Sequence, residues 1–429
     1  MNASSLFLPL VPLGEALARV GARRTEVPGG IDAMLEEIRR EGDTAVCRWS
    51  ASLDGRPGPA FEMPRADLER AVAALDPALR TQLDAMIARV RAFAAFQREA
   101  FRGGETVVGG ARLGWRAVPV RCAAVYAPGG RYPLPSSVVM GVVPARAAGV
   151  EEVVVLSPRI HPVTAAAAAL AGADRVFDLG GAHGVAAAAW GLCGLPRADL
   201  VVGPGNRYVT AAKKRLYGDV GIEFPAGPSE LLVVASEGAD PAWVAADLLA
   251  QAEHDPDALP ALAAMEPGLA AAVNREIARL AERLPADSPL WESIPRGIAV
   301  ETDADGAVRL AEAMAPEHLS LAGAAAEAMA PRFTRYGALF VGARSAEVFG
   351  DYGAGPNHVL PTCGAARFAG GLWVGSFLAV RTWLDVTPEG LGALVDQAST
   401  LARAEGLPAH ALSAELRRPE AVESLTGQA

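Results

Sequence analysis

The sequence contains few lysines, few cysteines and no long apolar run, and the last two shortages limit the class of protein that it can be. Only two of its 39 basic residues are lysines, a bias that indicates genome composition and not a function. The formal net charge of −10 predicts that the protein has no nucleic-acid partner. The four cysteines, at 47, 122, 193 and 363, show no paired spacing, which predicts free thiols in a reducing cytoplasm. Arg146 and Glu151-Glu152 interrupt the longest apolar run, and no basic segment opens the chain, so we expect neither a membrane partner nor a signal peptide.

The apolar residues that are present follow two different periods along the chain. With 429 residues, 51% of them apolar, more than one packed domain is expected. Up to about residue 110 the apolar spacing is helical, as in 31–41 and 75–101. From about residue 120, short β-branched runs alternate with alanine-rich helical runs, first to about residue 216 and then from residue 230 to 341. Such repeated β-turn-α units predict parallel sheets.

We therefore predict an α/β protein of two stacked Rossmann-like parallel-sheet domains, with N-terminal helices and a small helical C-terminal domain. The tail after about residue 375 is too short for a core of its own, so we expect it to pack on a neighbouring domain or on a partner subunit.

Histidine is also scarce, and four of the six histidines stand in settings that indicate chemistry: His254, His318, His358 and His410. Gln251 and His254 are three residues apart on a predicted helix, which Pro256 ends, so that both side chains share a face. An amide oxygen and an imidazole on one face can hold a divalent metal. Taken alone, this weak pattern is better explained as a polar helix end in solvent.

Glu317 and His318 follow Pro316 at what we expect to be a helix end, where both side chains can point into one cleft. Two proton acceptors of different basicity suit two sequential proton abstractions. A surface glutamate beside a half-buried histidine is an equally good interpretation of these two residues by themselves.

Two glycine-rich turns complete the candidate sites. The loop from Asp351 to His358 has an irregular backbone typical of binding loops, and it brings Asp351, Asn357 and His358 together. The turn 203–206 precedes a helix that carries Lys213 and Lys214, where backbone N–H groups could hold an anion. A solvated helix face is the simpler explanation of the two lysines. The dinucleotide fingerprint G-x-G-x-x-G follows none of the strands.

Taken in order, these motifs resemble those of the histidinol dehydrogenase family, over nearly the whole chain. Each motif is modest alone, but the ordered set is specific. The matching stretches are 125–130 with 135–137, 203–206, 226–230, 249–256, 315–318 and 355–362, together with 41–43, Glu405 and His410.

The resemblance implies a four-electron oxidation of L-histidinol to L-histidine through an aldehyde, with two NAD and one water, in histidine biosynthesis. It implies one Zn²⁺ per subunit, held by Gln251, His254, Asp351 and His410, although such oxygen and nitrogen ligands do not exclude manganese. It also implies a homodimer with shared active sites.

The resemblance assigns roles to the remaining site residues. His318 would accept the alcohol proton, and Glu317 would activate the water that attacks the aldehyde. The residues that would contact substrate are Ser229, Gln251, His254, His318, Asp351, His358, Glu405 and His410, and those that would contact NAD are Tyr126, His183 and Asn206.

The resemblance also implies a domain plan. Residues 1–20 would form an N-terminal arm, and residues 21–121 with 231–372 the main α/β domain that carries the metal and the catalytic residues. Residues 122–230 would be an inserted NAD-side α/β domain. Residues 373–429 would form a small C-terminal domain that completes the site of the partner.

Some residues depart from the family pattern. His183 stands where the family usually has a glutamine, and Glu223 where it usually has an aspartate. Residues 131–132 and 364–374 look more like relatives that oxidise other small alcohols, such as sulfopropanediol. The alternatives are therefore a paralogous zinc and NAD dehydrogenase of such an alcohol, or a catalytically silent binding protein.

Overall fold

The first five elements of the chain are helices. The computed structural model describes residues 6–23, 28–129 and 133–418. Helix α2 buries Ile31, Leu35 and Ile38, which lie on one face because of their helical spacing. Helix α3 ends at Asp54, and Gly55 after it has a φ of 71°, which suits a left-handed C-cap. The helices are α1 (Leu13–Ala22), α2 (Ile31–Glu41), α3 (Asp43–Asp54), α4 (Arg65–Ala73) and α5 (Pro77–Arg98).

A β-hairpin follows where the apolar spacing predicted helix up to about residue 110, so that prediction was wrong at its end. Strands β1 (Gly104–Val108) and β2 (Ala111–Pro119) pair antiparallel. The turn between them is Gly109-Gly110, with φ values of 55° and 81°. Two successive residues with positive φ are what a tight hairpin turn requires, and glycine supplies them without strain.

The first parallel sheet has the order β5-β4-β3-β6-β7, with the first strand in chain order at its centre. Strand β3 is buried along its whole length and pairs with β4 on one side and β6 on the other. The strand order reverses between β3 and β6. The elements are β3 (Cys122–Tyr126), α6 (Pro135–Ala148), β4 (Glu152–Leu156), α7 (Pro162–Ala171), β5 (Arg175–Phe177), α8 (Gly181–Trp190), β6 (Leu200–Val202), α9 (Arg207–Leu216) and β7 (Gly221–Ile222).

The second parallel sheet repeats this order as β10-β9-β8-β11-β12. Its central strand β8 is buried at every position, and separate apolar cores cover its two faces. The strands are therefore continuous apolar runs, as expected of a sheet covered on both sides. The elements are β8 (Glu230–Ala235), α10 (Pro241–Ala252), β9 (Leu259–Ala264), α11 (Leu269–Ala281), α12 (Leu290–Ser293), β10 (Ile298–Glu301), α13 (Ala304–Met314), β11 (His318–Ala322), α14 (Ala324–Ala328), β12 (Ala338–Val341) and α15 (Glu347–Asp351).

The tail contains the expected helices but begins with a strand, which the sequence analysis missed. Strand β13 (Leu378–Val386) pairs antiparallel with β2 over nine residues, and α16 (Pro388–Ala404) and α17 (Pro408–Glu415) follow it. Residues 98–119 and 378–418 thus form a unit separate from the rest of the described chain. The domain bounds implied by the resemblance remain predictions.

The mixed α/β class, the two parallel sheets, the N-terminal helices and the C-terminal helices are confirmed. Among the described residues, no helix is both long enough and apolar enough to cross a membrane. All four cysteines are free thiols.

Candidate active site

The main chain of Glu230 holds both members of the predicted acid–base pair. Its N–H donates to Glu317 Oε2 at 2.8 Å, and its carbonyl oxygen lies 3.0 Å from His318 Nδ1. Glu230 begins β8 and His318 begins β11, the strand paired beside it. The pair therefore lies at the amino end of β11, beside the amino end of the central strand β8. Helix α13 ends at Met314, three residues before Glu317, so the pair follows the predicted helix end and leads into a strand.

The contact with Glu230 sets the tautomer of His318. A carbonyl oxygen can only accept, so Nδ1 carries the proton and Nε2 keeps its lone pair. Burial lowers the pKa of His318 to about 4, although the charge of Asp351 opposes this shift. The side chain is consequently neutral at neutral pH and can accept a proton at Nε2.

Glu317 is buried beside other carboxyl groups. Burial raises its pKa well above the usual range, and the charges of Glu230 and Asp351 add to the rise. The Glu230 N–H and the Ser229 hydroxyl act in the opposite direction, because hydrogen bonds to a carboxylate favour its charged form. Glu317 thus has a basicity different from that of His318, as two distinct proton transfers require.

A group of candidate metal ligands lies in the same unit. One ligand atom from each of His254, Glu347 and Asp351 lies within 4.8 Å of the others, and His254 Nε2 is 3.7 Å from Asp351 Oδ2. Glu347 and Asp351 are four residues apart on α15 and so share a face. His254 comes two residues after the end of α10, not in its last turn as predicted.

Two buried side chains in this region have polar atoms without hydrogen-bond partners among the described residues. They are Gln251, with its amide oxygen and nitrogen, and Glu347, with both carboxylate oxygens. Gln251 is fully buried and Glu347 is only 1% exposed. Orphaned oxygens are costly in a protein interior unless a ligand or ion uses them, so these residues fit a divalent cation.

His358 connects this group to the first sheet. Its Nδ1 lies 2.9 Å from the Asp351 carbonyl oxygen, and its Nε2 is 3.3 Å from Ser137 Oγ. Since the carbonyl only accepts, Nδ1 donates to it and the Ser137 hydroxyl donates to Nε2. Ser137 lies in the first turn of α6, which follows β3. The metal-side residues thus face the carboxyl end of the first sheet.

That end of the first sheet is where an open α/β sheet binds ligands. The strand order reverses between β3 and β6, and ligands occupy the crevice at such a switch point. Tyr126 ends β3 and is buried, whereas Asn206 follows β6, is exposed, and caps α9 by accepting from the N–H groups of Tyr208 and Val209. Two of the predicted NAD contacts therefore border the crevice.

His183, the third predicted NAD contact, is enclosed. It lies in the first turn of α8, is fully buried, and places Nε2 3.2 Å from Asp54 Oδ2 on α3. The two groups are at ion-pair distance without the alignment of a hydrogen bond. Nearby, Gly181 N–H donates to Tyr126 Oη at 3.3 Å. In this structure His183 faces the protein interior.

The last two predicted site residues lie in the second unit. Glu405 immediately follows α16 and His410 lies on α17, and both are exposed. Residues 131–132, which depart from the family pattern, lie outside the described residues.

Sequence reasoning missed three residues around these sites, and it misjudged one. Glu347 could have been found from its four-residue spacing to Asp351, and Glu230 from its position next to Ser229. Asp54 gave no signal. Lys213, assigned to a solvated helix face, is buried and bonded to Glu223.

Comparisons with known proteins show the family of this chain. The family model described as "Histidinol dehydrogenase" matches residues 17–418. A histidinol dehydrogenase of Thermus thermophilus is 44% identical over 391 residues, covering 90% of this chain and 94% of that protein. One of Halobacterium salinarum is 43% identical, covering 95% and 96%. The crystal structure of histidinol dehydrogenase from Elizabethkingia anophelis superposes with a TM-score of 0.89 at 29% identity, covering 98% of this chain and 99% of that one.

The α/β fold and the matches to dehydrogenases place this chain in the oxidoreductase class. Within that class, the chain belongs to the histidinol dehydrogenase family.

Proposed function

We propose that this protein oxidises L-histidinol to L-histidine through the aldehyde, using two NAD and one water, in histidine biosynthesis. The observation that carries the proposal is the buried Glu317 and His318 pair, held by the main chain of Glu230 at 2.8 and 3.0 Å. A protein that only binds a ligand needs no such pair of bases, which speaks against a silent binding protein.

His318 would act first. Its Nε2 accepts the alcohol proton, since Nδ1 is engaged with the Glu230 carbonyl. Glu317 would then accept a proton from the water that attacks the aldehyde, which commits the second oxidation to the acid. Tyr126 and Asn206, which border the crevice, would contact NAD, which would supply the hydride acceptor for each oxidation. His183, the third residue proposed to contact NAD, faces Asp54 in this structure and would have to turn to reach the cofactor.

The metal would be zinc, one per subunit, held by Gln251, His254, Asp351 and His410. The unpartnered Gln251 oxygen and the proximity of His254 to Asp351 support this set, and Glu347 places a buried carboxyl group beside it. When bound, zinc would orient the substrate through its imidazole and amino nitrogens. Ser229, His358 and Glu405 would contact the substrate.

One assay tests this function. Purified protein is titrated with Zn²⁺ while NADH release is followed with histidinol, and in a parallel arm with sulfopropanediol. We expect two NADH per histidinol at one zinc per subunit. Turnover of sulfopropanediol alone would favour the paralogous dehydrogenase, for which residues 364–374 gave the sequence argument. No turnover of histidinol by the zinc-loaded protein would refute the proposal.

We further propose a cytoplasmic homodimer in which Glu405 and His410 complete the site of the partner subunit. Mixing the variants His410→Asn and Glu317→Gln, each of which should lose the formation of acid, tests it, with acid formation as the activity that is measured. Each mixed dimer would contain one intact site, so activity should return to about a quarter of normal at random pairing of a twofold-symmetric dimer. If both residues served their own subunit, mixing would restore nothing.

A further inference from the structure

Lys213 and Glu223 form a buried ion pair under the turn that follows β6. Lys213 Nζ is 2.6 Å from Glu223 Oε1, and the two side chains are 4% and 0% exposed. The chain has only one other lysine, Lys214, among 39 basic residues. A buried pair of full charges is expensive to form, so its presence in such a chain calls for a function.

Lys213 and Glu223 hydrogen-bond to both backbone polar groups of one residue, Gly203. Gly203 N–H donates to Glu223 Oε1 at 2.9 Å, and Lys213 Nζ donates to the Gly203 carbonyl oxygen at 3.0 Å. Gly203 therefore exchanges hydrogen bonds with both members of the pair. Charge-assisted hydrogen bonds are stronger than neutral ones, so the first residue of the turn is firmly fixed.

The fixed turn lies against the end of the central strand. Gly203 has a φ of 113°, and a Cβ at this position would come within 2.1 Å of the Tyr126 carbonyl oxygen. Only glycine permits this approach. The turn then continues to Asn206, which caps the N-terminus of α9 at the crevice between β3 and β6.

The residue type at 213 also follows from the geometry. One compact ammonium group reaches both the Gly203 carbonyl and Glu223 from inside the protein. A planar guanidinium is larger and spreads its donors over a fork, so arginine could not make the same two contacts in this space. This explains why lysine persists here although arginine dominates elsewhere.

We propose that Lys213 and Glu223 are positioning residues that hold the turn 203–206 in the shape that receives the dinucleotide cofactor. The inference rests on the proposed function, because that function places NAD at this crevice. Neither side chain touches the cofactor, since both are buried beneath the turn. Their effect reaches it through the backbone of Gly203 and onward to Asn206.

The test measures NADH binding by fluorescence titration of the zinc-loaded protein, with Zn²⁺ content and thermal unfolding followed in parallel. Lys213→Met leaves Glu223 buried without its partner and is expected to lower the melting temperature. The double variant Lys213→Met with Glu223→Leu replaces the ion pair by apolar groups and should fold, since such replacements are well tolerated.

For the folded double variant we expect the NADH dissociation constant to rise about tenfold, because the two bonds to Gly203 are lost. Zinc content should be unchanged. The single variant Lys213→Arg should also bind NADH more weakly than the unaltered protein. Lys214→Met is the matched control, since this neighbour is more exposed and should leave NADH affinity and stability as they are.

Two results would overturn the inference, and they differ in what else they affect. If the folded double variant binds NADH within twofold of the unaltered protein, the pair serves stability alone and the proposed function stands. If the unaltered zinc-loaded protein does not bind NADH, the proposed function fails and the inference fails with it.

Discussion

The sheet of β3–β7 and the sheet of β8–β12 share one strand order, yet their functional residues lie at opposite ends. In the first sheet, Tyr126 and the Gly203 turn stand at the carboxyl ends of β3 and β6. In the second, Glu230 and His318 stand at the amino ends of β8 and β11, with Glu317 just before β11. The same topology thus offers a backbone-lined crevice in one case and buried titratable side chains in the other.

The difference between the two sheets indicates that the first serves to bind a ligand and the second to place proton acceptors. At the first sheet a lysine–glutamate pair fixes a peptide turn, and the resulting surface suits a large ligand. At the second sheet a single residue, Glu230, uses its N–H and carbonyl to orient two proton acceptors. Variants at the first sheet should therefore change NADH affinity. Variants at the second should change the rates of the proton-transfer steps or the ionisation of the buried carboxyl groups.

The largest expected effect is that of Glu317→Gln, which would sharpen this comparison. Glutamine keeps the shape and can still accept from the Glu230 N–H, but it is not a base. We expect the rate of acid formation from the aldehyde to fall by roughly 10²–10⁴. Much of the first oxidation and the NADH affinity should remain. Single-turnover NADH release, started from alcohol or from aldehyde, separates the two steps.

His318→Gln serves as the matched comparison, because it should suppress the first step instead. If Glu317→Gln made acid at the normal rate, the assignment of Glu317 as the base for water would be wrong. If it weakened NADH binding tenfold, the division between the two sheets would not hold.

The next effect in size is that of Asp351→Asn on metal content. Asp351 lies in the candidate cation group and accepts the His358 N–H through its carbonyl, which the variant keeps. We expect zinc affinity to fall on the order of a hundredfold, measured by competition with a chelator. Glu347→Gln should weaken it less, about tenfold, because it replaces the carboxyl group of a buried neighbour that is not in the proposed ligand set. Equal losses would make Glu347 a ligand.

Glu230→Gln tests the ionisation of the Glu230 carboxyl group at the amino end of the second sheet. Burial raises the pKa of Glu230 to about 7, although Arg23, with Nη1 3.0 Å from Oε1, opposes the rise. The folded state therefore binds this proton more tightly than the unfolded state. The stability it contributes is present below about pH 4.5 and is lost as pH rises through about 7.

Glutamine does not titrate, so the free energy of unfolding of Glu230→Gln relative to the unaltered protein should rise between pH 5 and 8. The expected gain is on the order of 2 kcal/mol. Urea unfolding at both pH values measures it, and the exposed Glu282→Gln is the control. A constant difference between the two proteins would show that Glu230 is ionised throughout this range.

The two parallel sheets could be predicted from sequence because every one of their units is local, with a strand, a turn and a helix in succession. The sheet of β1, β2 and β13 could not, since β2 and β13 are more than 250 residues apart and only their pairing reveals the strand. The tail was accordingly assigned as helical only.

The candidate site divides in the same way. Gln251, His254 and the Glu317 and His318 pair follow from short motifs. Glu230 and Lys213 act through backbone contacts across strands and turns, and such contacts leave no mark in residue spacing. The enclosure of His183 depends on Asp54, which lies 129 positions earlier in the chain and on another helix.

The smallest expected effect is that of His183→Gln. Because the imidazole faces Asp54 inside the protein and not the crevice, a glutamine amide can donate to the same carboxylate. We expect the NADH dissociation constant to fall or to stay unchanged. Asp54→Asn removes the other partner and gives the comparison for stability. A tenfold loss of NADH affinity in His183→Gln, with unchanged thermal unfolding, would show that the histidine turns toward the cofactor when it binds, and the first sheet would then also use a titratable side chain.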